Sequence, residues 1–352
     1  AHRSFLAVTR SISSADGRNT DSRRHGFLQR MPNHPPSVLD VSTEAWRLVA
    51  GIAAVLTLAS LSGQVLRIVV ARSEPHALID NLNKRINSWW VIAIVVGLAL
   101  LGGSGGVTLL FALASLAALR EFVTTEVPAR CPRALLRSAC LVIVPLQYLL
   151  VWHGSYLAYT TFIPSLVFVG LPLLGQLSGN AEEFLSRTRT LRHGLLLCVF
   201  CVSHVPALLT LHVGGDPPRA CWLLVFLLLI AQISDVLQYL WGKLAGQYPI
   251  APKLSPSKTV EGTVGGIASA SMLGAGLSSL TPFTTVGAAL LSLLITLLGF
   301  AGGLAMSAVK RRRGIKDWGK LIPGHGGVLD RLDSLILPAP VFYYVLRYGW
   351  AD

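Results

Sequence analysis

The sequence predicts an all-α polytopic integral membrane protein with about ten (8–10) transmembrane helices. Three observations carry that prediction. The 352 residues are 52% hydrophobic and only 13% charged, with mean hydropathy +0.58. Soluble domains carry about 25% charged residues. Apolar runs recur along the chain at lengths near the ~20 residues that a straight helix needs to cross a bilayer. The basic residues fall almost entirely into alternate connections between those runs. A net charge of +13 and a pI near 10.0 would suggest nucleic acid in a soluble protein. Placed between apolar runs, the cations set orientation in a membrane instead, and no nucleic-acid partner is expected.

Residues 1–45 are polar, rich in Ser and Arg, and aperiodic. They are expected to form a disordered tail. Residues 1–30 fit either an Arg-rich targeting segment or a start placed upstream of Met31. The lack of an apolar secretory core favours the second. Ten apolar spans follow, at 47–66, 88–103, 106–119, 138–152, 156–175, 194–213, 219–240, 262–281, 284–309 and 335–349. Gly and Pro within them do not exclude helices in a bilayer. Residues 46–230 thus form an N-terminal transmembrane region. Residues 231–349 form a C-terminal transmembrane region that holds most of the unusual polar sequence.

The connections test this map. Loops 67–87, 120–137, 176–193, 241–261 and 310–334 carry 4, 4, 3, 3 and 7 Lys or Arg, 21 in all. The intervening connections "GGSGG", "WHGSY", "HVGGDPPR" and "LTPFTT" carry one, Arg219. Ten spans put the five basic loops on one face, and the positive-inside rule makes that face cytoplasmic. Cys198 and Cys201 form a CxxC inside an apolar run. A buried structural pair is expected there rather than a zinc site, which needs four suitably spaced ligands, and no disulfide framework is present.

Two basic loops also carry acidic residues and glycines. In "SDVLQYLWGKLAGQYPIAPKLSPSKTVEGTVGG", residues 234–266, Asp235 lies in an otherwise apolar span. An ionisable group there is expensive and marks a candidate site; the plainer reading is a packing aspartate paired with a neighbour. Lys258, with Ser255, Ser257 and the following helix N-terminus, suits phosphate oxygens. The plainer reading is an N-cap, with Ser257 at the helix start and Glu261 in its first turn. In "SAVKRRRGIKDWGKLIPGHGGVLDRLDS", residues 307–334, Arg312 and Arg313 read as orientation signals. Asp330 and Asp333 do not. At i, i+3 they share one helical face, and hard oxygen ligands suit Mg²⁺ bound with substrate phosphates. Gly324, Gly326 and Gly327 allow close backbone approach to a ligand.

At these residues the chain resembles the CDP-diacylglycerol synthases, or phosphatidate cytidylyltransferases. That signature runs S-x-x-K-R, four residues, K-D, then P-x-H-G-G-x-x-D-R-x-D. Ser307, Lys310-Arg311, Lys316-Asp317, Pro323, His325-Gly326-Gly327, Asp330-Arg331 and Asp333 match it over 27 residues. "SPSKTVEG" resembles the family's S-P-x-K-T-x-E-G segment, and Asp235 with Tyr239 falls where the family has an aspartate-bearing helix. The resemblance covers about 230–349. It implies CMP transfer from CTP to phosphatidate, with Mg²⁺ and an associated monovalent cation such as K⁺. The active-site loops would then be cytoplasmic, in a bacterial inner membrane, and a homodimer is favoured. Asp330, Asp235 and Asp317 would serve the metal, with Asp333 beside them. Lys258, Lys310, Arg311, Lys316 and Arg331 would hold phosphates. His325, Gly326 and Gly327 would shape the nucleotide loop.

One position departs from the pattern. Four residues before Ser307 the family carries an aspartate after glycine, whereas here Gly303 stands in "GFAGGLAMSAVK". A catalytically weak or inactive relative with a lipid-binding or scaffold role is therefore the alternative. A transporter would suit the spans and Asp235 but leaves the signature unexplained. The D-x-x-D-G-x-x-A-R motif of the CDP-alcohol phosphotransferases is absent.

Overall fold

The computed structural model describes residues 43–69, 77–126, 131–213, 217–321 and 326–351. Helices dominate them: α1 (Thr43–Val69), α2 (Ala77–Leu101), α3 (Gly103–Thr124), α4 (Arg133–Trp152), α5 (Tyr156–Leu177), α6 (Ala181–Thr210) and α7 (Pro217–Leu244). A hairpin of β1 (Pro249–Ala251) and β2 (Ser255–Thr259) follows. Then come α8 (Val260–Gly276), α9 (Thr285–Arg312), the short α10 (Leu329–Leu332) and α11 (Pro338–Gly349). The first helix begins at Thr43, inside the segment expected to be disordered. The rest of that tail, residues 1–42, lies outside the described residues.

Among the described residues, seven helices are long and apolar enough to cross a membrane: α3, α4, α5, α6 and α9 in full, and the Val49–Val69 and Ala220–Leu244 parts of α1 and α7. This marks a membrane protein. Three of the ten expected spans fall short. The run at 88–103 lies in α2, whose apolar part is Ile86–Leu101. The run at 262–281 becomes α8, which stops at Gly276 before a 3₁₀ turn at Ser278–Leu280. The run at 335–349 becomes α11, 12 residues long and so about 18 Å, against a hydrocarbon core of about 30 Å. Polar sequence through Ser334 delays its start, and Pro338 sits at its first turn.

Helix ends expected to share a face do meet. At the basic ends, Thr190 hydrogen-bonds Glu126, and Arg313 donates to Thr125. At the other ends, Tyr156 bonds Tyr348, and Val213 bridges to Ala351. Helices α4, α5 and α6 each contain a widened π-turn, at Ala139–Ile143, Leu166–Gly170 and Leu195–Cys201. A proline lies near each: Pro145, Pro164 with Pro172, and Pro206. Proline removes a donor and crowds the preceding turn, and a local π adjustment lets the freed carbonyls find partners in a bilayer. Glycines bring α7 and α8 together: a Cβ on Gly266 would lie 2.6 Å from the Gln238 Cα. Such small-residue contacts replace the hydrophobic drive that lipid cannot supply. Leu141, Leu157, Leu177 and Met272 point outward, as lipid-facing residues do. All five cysteines are free.

Inside, polar groups from distant segments bond one another, although Gln147 Oε1 and His204 Nε2 keep no hydrogen-bond partner. Gln147 donates to the Tyr159 carbonyl at 2.9 Å and to Ser203 Oγ at 3.0 Å. The Tyr159 and Tyr343 hydroxyls are hydrogen-bonded. The buried His204 ring donates from Nδ1 to the Phe200 carbonyl at 2.8 Å and meets Tyr159 and Tyr343 edge-on.

Candidate active site

The last turn of α9 carries Lys310, Arg311 and Arg312, where a helix C-terminus favours cations. Lys310 Nζ lies 2.9 Å from Asp330 Oδ1 and 3.9 Å from Asp333 Oδ2. Asp333 follows α10 with helical dihedrals, φ −59° and ψ −34°. The i, i+3 spacing thus places both carboxylates on Lys310, as the shared-face argument requires. The other oxygen of Asp330, Oδ2, accepts the Trp318 N–H at 2.8 Å and the Gly327 N–H at 2.9 Å. Gly326 has φ +81°, and a Cβ there would also sit 2.6 Å from Asp330 Oδ2. Both carboxylate oxygens of the buried Asp330 are therefore engaged by the chain itself.

Asp333 is different. Burial, and then the Asp235 carboxylate, push its carboxyl up to about 7, while Lys310 and Arg331 oppose that rise. Asp235 reaches this group from α7, accepting a hydrogen bond from the Ser334 hydroxyl and lying near Lys258 and Arg331. Gln232, one turn earlier on α7, donates to the Arg331 carbonyl at 3.2 Å and to Ser334 Oγ at 3.4 Å. Arg331 keeps its buried Nε without a hydrogen-bond partner. An unpaired buried guanidinium N–H is costly unless an anion reaches it.

Lys258 comes from β2. Its Nζ sits over the Phe300 ring, 4.8 Å from the centroid, and 3.3 Å from where a Cβ on Gly303 would be. The ammonium thus occupies the space beside the glycine. The segment around Lys258 is not an N-cap built on Ser257. Ser255–Thr259 is a strand, and Thr259 caps α8 by accepting the Gly262 N–H at 3.1 Å. Glu261 accepts the Gln247 and Tyr248 N–H groups instead, at 3.0 and 3.3 Å. Ser255 is half-buried and Ser257 exposed. Arg311 ties α9 to the hairpin, donating from Nε to the Leu254 carbonyl at 3.1 Å.

Lys316 and Asp317 are exposed. Asp317 lies beside the glycine loop, its Cβ 3.3 Å from a Cβ built on Gly326. His325 lies outside the described residues. Arg312 is exposed, as an orientation signal would be, but Arg313 has a structural task. Its guanidinium donates to the Phe122 carbonyl and to Thr125 Oγ1, and stacks on Phe122 and Trp318 at 4.4 and 5.2 Å. Sequence reasoning missed Glu121, Gln232 and Ser334. Glu121 accepts the Val328 and Leu329 N–H groups at 3.0 and 2.9 Å.

Among the described residues, no three His, Cys, Asp or Glu side chains converge to hold a metal by themselves. Asp330 has spent its oxygens within the chain, but Asp235 and Asp333 face each other closely enough to oppose their joint ionisation. Two such carboxylates beside the unpartnered Arg331 Nε fit Mg²⁺ shared with phosphate oxygens, the usual way this ion is held.

Helices thus bring a carboxylate group, basic side chains and a glycine loop together at their basic ends, an arrangement that suits phosphate groups in a membrane protein. The Cytidylyltransferase family model matches residues 83–349, and the chain belongs to that family. It is 40% identical over 267 residues to the uncharacterized protein YnbB of Escherichia coli (strain K12), covering 75% of this chain and 87% of that one. It is 41% identical over 130 residues to a phosphatidate cytidylyltransferase of Brucella abortus biovar 1 (strain 9-941), covering 37% of this chain and 48% of that protein. A phosphatidate cytidylyltransferase of Aquifex aeolicus (strain VF5) is 41% identical over 129 residues, again covering 48% of its length. The matched segment spans about half the length of these two relatives.

Proposed function

We propose that the chain is a CTP:phosphatidate cytidylyltransferase, making CDP-diacylglycerol and pyrophosphate. The observation that carries this reading is the convergence of Asp235, Lys258, Lys310, Arg331 and Asp333 from four elements around an unpaired buried guanidinium N–H. A phosphate oxygen of the lipid attacks the α-phosphorus of CTP. The new P–O bond forms as the bond from that phosphorus to the β-phosphate bridging oxygen breaks, and pyrophosphate leaves. Such transfer depends on positioning and charge neutralisation. Lys258, Lys310 and Arg331 supply fixed positive charge. Asp330 holds Lys310 and the loop amides in place, and Arg311 seats the hairpin that carries Lys258. When bound through Asp235 and Asp333, Mg²⁺ would supply further charge neutralisation across the triphosphate. The basic loops face the cytoplasm of a bacterial inner membrane, where CTP is available, and the protein acts as a homodimer.

Purified full-length protein in detergent–lipid micelles, given CTP, phosphatidate and Mg²⁺, is expected to release pyrophosphate and form CDP-lipid. No product across Mg²⁺ concentrations would overturn the reading.

Gly303 favours a second reading, a weak or inactive lipid-binding relative, because Lys258 stands where a side chain would extend. Gly303→Asp separates the two. If the missing carboxylate limits the chain, wild-type protein is inactive and the variant gains turnover. If the site is complete, wild-type protein turns over, and the variant is slower because its new carboxylate draws Lys258 away from phosphate.

A further inference from the structure

We infer that Glu121 is a positioning residue for the phosphate-handling loop, held in the half of the chain that carries none of the signature. The inference rests on the cytidylyltransferase reading for its catalytic meaning. Its structural content stands alone. Glu121 sits on α3, one residue before Phe122, far in sequence from the loop it serves. Its Oε1 accepts the Val328 N–H and its Oε2 the Leu329 N–H. The preceding amide, Gly327 N–H, goes to Asp330. Three consecutive amides therefore end on two carboxylates, one local and one brought from α3.

Glycines make room for this grip. A Cβ on Gly319 would stand 2.5 Å from Glu121 Oε1, and one on Gly327 would collide with the same carboxylate. The second glycine of His-Gly-Gly is thus explained by Glu121 as well as by approach to a ligand. Next along α3, the Phe122 carbonyl is held by Arg313, whose guanidinium also stacks on Trp318. The Trp318 N–H in turn binds Asp330. The end of α3 therefore fixes the loop on both sides of the segment outside the described residues. Removing Glu121 frees two amides and lets Asp330 and Lys310 shift relative to Asp333.

The test uses full-length protein and two readouts. Glu121→Gln presents an amide NH₂ to one backbone N–H and cannot keep both bonds. It should lower kcat on the order of 10–100-fold, the usual cost of losing a residue that orients a site. KM for phosphatidate should change little, and hydrogen exchange of peptides covering 326–332 should speed up. Glu121→Asp should recover part of kcat. Gly319→Ala, which crowds the carboxylate without removing it, should shift both readouts the same way by less, and it serves if Glu121→Gln does not fold. Unchanged exchange and turnover in these variants would overturn the inference. A wild-type protein with no turnover would sink the cytidylyltransferase reading instead, leaving the exchange readout to decide the role of Glu121.

Discussion

Two polar clusters lie among the apolar helices, and they solve burial in different ways. The first, around Gln147, Tyr159, Ser203, His204 and Tyr343, lies toward one set of helix ends and is made of neutral groups that bond one another. The second, around Asp235, Lys258, Lys310, Asp330, Arg331 and Asp333, lies at the basic ends and is made of charges. The neutral cluster still leaves Gln147 Oε1 and His204 Nε2 without a hydrogen-bond partner, but these are uncharged groups, far cheaper to bury unpaired than an ion. The charged one leaves Arg331 Nε unpaired and sets two carboxylates against each other. An unpaired charge is costlier to bury than an unpaired neutral group, and a phosphate with a cation would complete this cluster, which is why the proposed site is placed here.

The largest expected contrast between the clusters is in turnover. Asp330→Asn replaces the group that holds Lys310 and two backbone amides. It is expected to cut the rate on the order of 10²–10³-fold, as loss of one preorganised electrostatic contact does. Steady-state pyrophosphate release checks it; a rate within about tenfold of wild type would fall below that cost and remove Asp330 from the machinery.

Next is stability at the join between α3 and the loop. Arg313→Ala removes two hydrogen bonds and two ring contacts, and is expected to cost about 2–3 kcal/mol. Arg312→Ala should stay within about 0.5 kcal/mol. Thermal unfolding of both variants in detergent compares them directly, and equal midpoints would mean that the clamp is idle.

A pH effect follows from Asp333. Folded, its carboxyl holds a proton up to about 7; unfolded, it loses it near 3.8. Between those values the folded state binds more protons, so this group's contribution to stability falls as pH rises and then levels off. Asp333→Asn should remove that slope and raise the melting temperature of ligand-free protein at pH 8. A wild-type curve that rises over the same range, with the variant parallel to it, would contradict the assignment.

The smallest effect is expected in the neutral cluster. Tyr343→Phe leaves one hydroxyl without its partner, costs about 1 kcal/mol, and leaves turnover unchanged. A large loss of activity in this variant would erase the distinction between the two clusters.

The sequence shows these clusters unequally. Asp235 was legible because a carboxylate in an apolar run has few structural excuses. The 27-residue signature was legible as a constellation, and Lys310 does join Asp330 to Asp333. Glu121 was not, because an acidic residue in "REFVTTE" resembles any loop charge until α3 brings it to Val328 and Leu329. Arg313 was hidden inside a basic run that orientation alone could explain. The hairpin around Lys258 was not legible, and the plainer reading placed the cap on Ser257, because Ser and Thr suit strand or cap and only chain geometry separates Thr259 from Ser257. The Tyr159, His204 and Tyr343 group left no pattern, since its members come from helices far apart in sequence.

The widened turn at Leu195–Cys201 divides α6 into two halves with separate duties. The half before it carries Thr190, bound to Glu126, and the half after it carries Ser203 and His204. One residue of an α-helix advances the side-chain direction by about 100°. The widened turn therefore works as an angular offset, setting the bearing of His204 relative to Thr190 along a single rod. Deleting one residue there would leave the length of α6 almost unchanged. It would nevertheless swing Ser203 and His204 away from Gln147 and Tyr159, so this stretch is a point where the protein tolerates substitution far better than a change in count.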